Sequence, residues 1–321
     1  MDIEFHYYIT YIIALRAGFN PHDAYLIAYS SQYTDDNHKR YGISEDTSDE
    51  YRNYISQTAN ILKPKKELLR IHSIFHFMPG TKDEVFVDST RRCDGKLHLL
   101  NTIPDNQNAR FLLQEALDLR NSYRIGIATH MYSDTFAHQN FVGYDDCFNS
   151  MKGLLEKAIP NIGHADAKFC PDWPALVWKD KRLVSSHSEI DNKQRFLDAA
   201  ISLFKEYCRS LDRTASSQNV DGLLTELDKA IGERDDENQL SENRIDRYRA
   251  LIGDDFIDYD KEAWFKKAIN REMGLFKWIY SWKENYRASH WFQFEESVKA
   301  HQRLAIERLR PIFDTMELVN L

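Results

Sequence analysis

The chain has 321 residues and a net charge of −8, which argues against a general nucleic-acid binder held by counterion release. Its four cysteines are scattered without a CxxC pair, so neither a zinc knuckle nor a disulfide framework is indicated. Only 12 Gly and 8 Pro interrupt the chain and 13% of its residues are aromatic, which favours an all-α fold over a turn-rich β fold.

The N-terminal stretch MDIEFHYYITYIIALRAGF is apolar, but it lacks the basic start and the small-residue cleavage site of a signal peptide. It also contains Asp2, His6 and Arg16, which argue against a membrane span. We therefore expect a cytoplasmic protein without a transmembrane segment.

Apolar spacing and helix-terminal residues predict a series of helices in the first half of the chain. They are Ile3–Ala17, a helix capped by Asn20 and ending near Tyr33, a weaker helix ending at Leu62 before Pro64, Glu67–Phe77, Asp105–Asn121 and Ser122–Phe141. The last two form either one long helix or two in sequence. Thr34–Asp49 is predicted to be a loop, and Glu84–Asp88 is a candidate short strand.

Four further helices are predicted in the second half: Asp145–Ala158, a helix capped by Asp191 and ending near Ser210, Glu262–Arg287 and His290–Arg310. Asn161–Leu183 is a loop punctuated by prolines, and long ordered loops are often functional. Arg213–Asp255 is charge-rich and predicted to form exposed helices or an insertion. Aromatic residues between Phe276 and Phe294 suit core packing, with an apolar pocket as the alternative.

The segment HMYSDTFAHQ places two imidazoles and a carboxylate on one stripe of a predicted helix. His130, Asp134 and His138 are spaced at i, i+4 and i+8. At a rise of about 1.5 Å per residue the two histidines lie roughly 12 Å apart along the axis, too far for one ion unless the helix bends or ends near Phe136. A central Asp134 with one oxygen for each side suits a multinuclear metal site; the alternative is a structural hydrogen-bonded stripe.

Other imidazoles and carboxylates occur before and after this stripe. Each pair alone is more often structural than a metal ligand, but together they supply the ligand types that zinc sites use. These residues are Asp2 and His6, Asp35 and Asp36, His72 and His76, His164 and Asp166, and His187 and Asp191.

The order of these residues resembles the superfamily of zinc-dependent phospholipases C and single-strand-specific nucleases. The resemblance rests on an early His, an Asp at a helix end in SSQYTD, a His in HFM, the central HMYSD and the His beyond it. It implies an all-helical metallohydrolase-like fold with a cluster of two or three zinc ions or other divalent metals. The implied metal ligands are Asp2, His6, Asp35, His76, His130, Asp134, His138 and His164. The stretches MDIEFHYYITY, YSSQYTDD and DTFAHQNF are also similar to a bacterial family of unknown function.

The sequence departs from the superfamily in two ways that affect the ligand set. Secreted members use the free amine of an N-terminal Trp, and we expect the Asp2 carboxylate to take its place here. The late His-x3-carboxylate of the superfamily matches His187 and Asp191 by spacing, whereas His164 fits better by its distance along the chain. We favour His164, and whether His72 is also a ligand stays open.

The resemblance covers roughly residues 1 to 200, so we predict a helical metal-binding domain at 1–210 and a helical extension at 211–321 packed on the same core. The expected function is a metal-dependent phosphoesterase acting on a small phosphodiester or a phospholipid and not on duplex nucleic acid. Asp35 or Asp36 would bind a metal or act as general base. The alternative is a non-enzymatic helical protein with a structural metal cluster, which would be closed by protein ligands.

Overall fold

Helices dominate the protein, whose computed structural model describes residues 1–58, 60, 65–151 and 163–318. The α-helices within these ranges are α1 (Thr10–Ala17), α2 (Pro21–Asp36), α3 (Lys65–Phe75), α4 (Lys82–Ser89), α5 (Gln107–Asp118), α6 (Ser122–Ala137), α7 (Asn192–Ser210), α8 (Ser217–Ile231), α9 (Ser241–Ile252), α10 (Ala263–Ala268) and α11 (His290–Thr315). The mainly helical architecture agrees with the all-α prediction.

The strands are short and form three antiparallel pairs within the described residues. They are β1 (Gly42–Ile43) with β2 (Tyr51–Arg52), β3 (Val177–Lys179) with β4 (Glu189–Asp191), and β5 (Ile269–Met273) with β6 (Trp278–Trp282). In the third pair Ile269 lies opposite Trp282, and Met273 lies opposite Trp278.

The first predicted helix is present, but it opens with a π-helical turn at Glu4–Ile9 that runs directly into α1. It ends where Gly18 adopts a φ of 108°, a conformation that glycine reaches without strain. Asn20 then caps α2 by accepting a hydrogen bond from the Asp23 N–H, with Pro21 in the first turn as predicted.

Helices α2 and α6 pack closely because Gly126 of α6 has no side chain. A Cβ atom at Gly126 would lie 2.4 Å from the Ile27 carbonyl oxygen and 2.5 Å from the Ser30 Cβ of α2. The sequence predicted α5 and α6 as one helix or two, and they are two, separated at Leu119–Asn121. The close approach brings Asp35, in the last turn of α2, beside the central stripe of α6.

Two predicted elements in the first half of the chain are wrong in the described residues. Glu84–Asp88 belongs to α4, because Thr81 and Glu84 form a capping box that starts a helix there. The weak helix before Leu62 is replaced over residues 51–58 by β2 and irregular chain, where Asn53 bonds to the backbone of Lys39 and Tyr41. Residues 59 and 61–64 at its predicted end lie outside the described ranges.

The predicted helix Glu262–Arg287 is instead the short α10 followed by the β5–β6 hairpin. The predicted helix Asp145–Ala158 shows only a 3-10 turn at Cys147–Asn149 up to residue 151, and the rest lies outside the described residues. The charge-rich segment forms the helices α8 and α9 as predicted, but each of them is exposed on one face and buried on the other, and Asp191 caps α7 through the Gln194 N–H.

Two apolar clusters hold these elements together. The larger one joins α1, α2, α6 and α7 with residues of the last third, such as Tyr248, Trp264 and Trp291. A smaller one contains Phe77 and Phe141 and fixes the segment between residues 167 and 190 against the C-terminal end of α6. No helix in the described part of the chain combines the length and apolarity that crossing a membrane requires.

Candidate metal centre

The three residues of the central stripe, His130, Asp134 and His138, are buried, but only the first two lie inside α6. His130 and Asp134 lie within α6, whereas His138 is the residue after its last turn. The helix therefore ends just beyond Phe136. A helix end near Phe136 is one of the two conditions, stated above, under which His130 and His138 could bind the same ion or neighbouring ions. His138 Nδ1 lies 3.6 Å from Asp134 Oδ2, but its Nε2 points to Asp172 Oδ1 at 3.3 Å.

Asp134 is the hub of the cluster, because each of its oxygens faces a different set of nitrogens. Oδ1 lies 2.5 Å from the Met1 amine nitrogen and 3.2 Å from His6 Nε2. Oδ2 lies 3.2 Å from His76 Nδ1 and 3.3 Å from His130 Nε2. The carboxylate is 1% exposed, so water does not compensate its charge.

The imidazoles and carboxylates form three groups whose ligand atoms lie within 4.8 Å of one another. The groups are His6, His130 and Asp134; Asp35, His76 and His130; and His138, His164 and Asp172. Two ligands at 2.0–2.1 Å from one tetrahedral zinc are about 3.3–3.4 Å apart. The measured separations of 3.2 Å for His6–Asp134, 3.3 Å for His138–Asp172 and 3.4 Å for His164–Asp172 match this value.

Three separate elements bring the other side chains of the first two groups to α6. The π-helical turn presents His6, the end of α2 presents Asp35, and the residue after α3 is His76. The His76 ring is held in place by its other nitrogen, because Nε2 lies 2.9 Å from the Ser56 carbonyl oxygen. Phe77 stacks on the His138 ring with centroids 4.5 Å apart and orients it toward the third group.

Several buried nitrogens of the cluster have no hydrogen-bond partner. Neither ring nitrogen of His6 makes a hydrogen bond, although Nε2 is close to Asp134, and His130 Nδ1 also lacks a partner. The His6 and His130 rings stack with centroids 3.8 Å apart, and His130 Nε2 lies 3.0 Å from His76 Nδ1. Unpaired buried donors and acceptors are costly, so converging nitrogens of this kind fit cations as the missing partner.

The electrostatics of the cluster favour the anionic form of Asp134 and Asp172 and the neutral form of His6 and His138. Burial and the neighbouring His130 lower the pKa of His6 to about 4. Burial alone would raise the pKa of Asp134, but the surrounding histidines and the Met1 amine outweigh it and hold that pKa well below its usual range. The pKa of Asp172 is lowered in the same way by His164, the Met1 amine and His138.

The His76 imidazole and the Met1 amine are shifted in the opposite direction. Burial opposes the charged form of each, but the adjacent carboxylates outweigh it, so the pKa of His76 is raised and that of the Met1 amine rises to about 11. These shifts describe the protein without cations, and a bound cation would replace those protons.

The cluster opens into a cavity of about 350 Å³. Asp35, His164 and Asp172 are the partly exposed ligands, with exposed side-chain fractions of 28%, 22% and 16%. His72, Gln57 and Phe77 complete much of the wall. Solvent therefore reaches the second and third groups through Asp35, His164 and Asp172, whereas His6 and His130 of the first group are fully buried.

Seven of the eight predicted metal ligands are in these groups, and Asp2 is not. Its Oδ1 accepts a hydrogen bond from the Glu4 N–H at 3.0 Å, at the start of the π-helical turn. The nitrogen that lies against Asp134 is the Met1 amine itself. Asp36 also lies outside the three groups, because its Oδ2 accepts from the Tyr259 hydroxyl at 2.7 Å and from Gln32.

The two alternatives for the late ligand are separated in space. His164 belongs to the third group, whereas His187 is exposed in a 3-10 turn and Asp191 caps α7. His72 lines the cavity without joining a group among the described residues, and burial lowers its pKa to about 3.

Sequence reasoning missed Asp172, which bonds toward both His138 and His164. It stands eight residues after His164 in a loop, so no helical spacing marks it. Its position in FCPDWP, within the proline-punctuated loop, was the available signal.

The chain belongs to a family of unknown function (DUF6765), which matches residues 1–309. The match spans the π-helical turn, all three ligand groups and most of α11. Comparisons with curated proteins and with solved structures find no significant match.

Proposed function

We propose that this protein is a metal-dependent phosphoesterase with divalent cations, zinc being the best fit, in the three groups around Asp134. One observation carries the proposal: three sets of imidazole and carboxylate atoms, each set within 4.8 Å of one another, converge beside a solvent-accessible cavity. Neutral imidazole nitrogens with carboxylate oxygens are characteristic zinc ligands.

The arrangement supports a relationship to the zinc-dependent phospholipases C and single-strand-specific nucleases. That superfamily combines a three-metal cluster with an N-terminal amine ligand. In this proposal the Met1 amine nitrogen, 2.5 Å from Asp134 Oδ1, joins the first group in place of the expected Asp2 carboxylate. Asp134, whose two oxygens face different sets of nitrogens, would help to hold the cations.

Cations in such a cluster supply Lewis acidity toward phosphoryl oxygens and a hydroxide nucleophile near neutral pH. The side chains of the protein would orient the attacking water. Asp35 extends into the cavity, and Gln57 Nε2 donates to its Oδ1 at 3.1 Å. Burial would raise the pKa of Asp35, but His130, His6 and His76 outweigh it and lower the pKa, so the group is an anionic acceptor at neutral pH.

Asp35 is consequently our choice for the residue that orients the attacking water and accepts its proton. Asp36 lacks this geometry because its carboxylate is bound to Tyr259 on the other side of the helix end. The cavity volume of about 350 Å³ lies at the lower end of small-ligand pockets, which suits a phosphodiester group with part of its substituents.

A structural metal cluster is the second candidate. Structural sites are closed by protein ligands, whereas catalytic sites keep a position open for water or substrate. The partly exposed Asp35, His164 and Asp172 beside the cavity favour the catalytic alternative.

The test is to strip the protein with a chelator, reload it with Zn²⁺, and measure metal content together with hydrolysis of bis(p-nitrophenyl) phosphate. We expect more than one ion per chain and activity that depends on loading. Asp172→Asn should lose about one ion and most activity, whereas Asp36→Asn should keep both. Metal retention without hydrolysis of any phosphodiester would favour the structural alternative, and failure to load would contradict both.

A further inference from the structure

The β5–β6 hairpin carries the densest group of exposed apolar side chains in the described part of the chain. Leu275 and Phe276 in its turn are 88% and 92% exposed. Met273, Trp278 and Ile279 next to the turn are 70%, 42% and 53% exposed. Exposed apolar groups of this size usually mark an interaction site.

The base of the hairpin is fixed to the body, whereas its outer half is not. Ser44 N–H donates to the Tyr280 carbonyl at 2.8 Å, and Trp282 Nε1 donates to the Asp49 carbonyl at 2.9 Å. Ile269 at the start of β5 is buried, but the rest of that strand is exposed. An isolated two-stranded hairpin is only marginally stable, so this one depends on its anchored base. The base holds the apolar turn away from the core.

The apolar residues surround the tip of the hairpin. Met273 and Trp278 are opposite partners and share one face, Ile279 projects from the other face, and Leu275 and Phe276 occupy the turn. A protein partner adding to a strand or a face would cover one side. An apolar phase that encloses the tip would cover all five residues.

The charge of this segment differs from that of the chain. Residues 261–287 contain seven basic and three acidic residues and so carry a net charge of +4, while the whole chain carries −8. Arg271 lies over the Trp278 ring at 3.8 Å, and Lys277 at the turn pairs with Glu45 at 2.8 Å. That pair is exposed and therefore weak enough to exchange for a lipid phosphate.

We propose that the β5–β6 hairpin docks this protein on an anionic lipid surface by inserting Leu275, Phe276 and Trp278 at the interface. Tryptophan is favoured at the boundary between headgroups and acyl chains, and basic residues beside apolar ones bind anionic leaflets. The docking is independent of the proposed hydrolysis, because no residue of the hairpin belongs to the three ligand groups.

The experiment is cosedimentation of the full-length protein with vesicles of phosphatidylcholine alone and with added phosphatidylglycerol. Binding should occur and should strengthen with phosphatidylglycerol. The double variant Leu275→Ser/Phe276→Ser should bind at least about tenfold more weakly, because two large apolar side chains are removed. The matched control is Phe86→Ser/Val87→Ser on α4, whose side chains are 66% and 64% exposed, and it should bind as the unmodified chain does.

A second readout uses lipids brominated in their acyl chains, which should quench tryptophan fluorescence in the unmodified protein and less in Trp278→Phe. The proposal is overturned if neither kind of vesicle binds the unmodified chain or if both double variants lose binding equally. It is also overturned if brominated lipids quench Trp278→Phe as strongly as the unmodified protein. A dimer that dissociates in the Leu275→Ser/Phe276→Ser variant, without vesicle binding, would instead identify a second copy of the chain as the occupant.

Discussion

Two buried polar clusters meet at the N-terminal segment, and they satisfy their charges differently. Arg244 is fully buried, donates from Nε and Nη2 to the two oxygens of Glu4 at 2.8 and 2.9 Å, and donates from Nη1 to Asp235 at 2.8 Å. Ser241 and backbone N–H groups satisfy the remaining carboxylate oxygens. The Asp134 cluster has three carboxylates and five imidazoles, and some of its buried nitrogens have no partner.

The difference separates a structural network from a site that lacks a component. In the first cluster the chain supplies every opposing charge and donor, so it holds α9 to the N-terminal segment by itself. In the second cluster the Met1 amine opposes part of the carboxylate charge, but buried imidazole nitrogens of metal-ligand type are left without partners. Changes in the first should therefore affect stability, and changes in the second should affect metal content and activity.

The largest expected effect is the loss of activity in Asp134→Asn. The amide removes a charge that faces four nitrogens, so metal content should fall by more than one ion per chain. Hydrolysis should fall at least about a thousandfold, because metals supply several kcal/mol of transition-state stabilisation. Elemental analysis and the phosphodiester assay check this, and an unchanged metal content would show that Asp134 does not hold the cations.

Arg244→Met should destabilise the fold by about 3–5 kcal/mol, because Glu4 and Asp235 would be left buried without their countercharge. Urea unfolding measures the effect. Arg52→Met is the control, since its pair with Glu50 is exposed and should cost no more than about 0.5 kcal/mol. Equal destabilisation by the two substitutions would contradict the structural role of the Arg244 network.

The metal-free protein should lose stability as the pH falls from about 6.5 to about 4. The pKa values of buried His6 and His301 are lowered to about 4, so the unfolded chain binds more protons than the native one in this window. Each histidine would contribute about 2–3 kcal/mol at pH 7 that is lost on acidification. Urea unfolding at several pH values should show the decline, and His6→Gln should reduce it. A flat profile would contradict the shifts.

The smallest effect is expected for Asp2→Asn, at the junction of the two clusters. Its carboxylate accepts from the Glu4 N–H, but burial and the neighbouring Glu4 raise its pKa well above the usual range, so replacement by a neutral amide should change stability by less than about 1 kcal/mol. Metal content should stay the same. A loss of metal in this variant would restore Asp2 as a ligand and displace the Met1 amine from the proposed set.

The parts of the fold that were predictable have strong local signals. Gly18, Asn20 and Pro21 mark the boundary between α1 and α2, and Asp191 marks the start of α7. The i, i+4 relation of His130 and Asp134 survives because both lie inside one regular helix. These signals act over one or two helical turns and need no tertiary information.

The failures come from signals that conflict or that act at long range. Glu84–Asp88, with the apolar run Val85–Val87, was a candidate strand, but the Thr81–Glu84 capping box favours a helix. In the predicted helix Glu262–Arg287, aromatic residues recur at every second position, which is the period of a strand: Phe276, Trp278, Tyr280 and Trp282. The scarcity of Gly and Pro favoured the helix prediction instead. Asp172 is placed by a loop packed on the smaller apolar cluster, which no local pattern encodes.

The Glu4–Arg244 contact also sets an order of events during synthesis. The partners are 240 residues apart, and translation proceeds at about 5–20 residues per second, so Arg244 follows Glu4 by roughly 12–48 s. During that interval the apolar residues of the π-helical turn lack a completed core. Because contacts of such separation form late and slow folding, the N-terminal segment should complete its packing only after α9 has been synthesised.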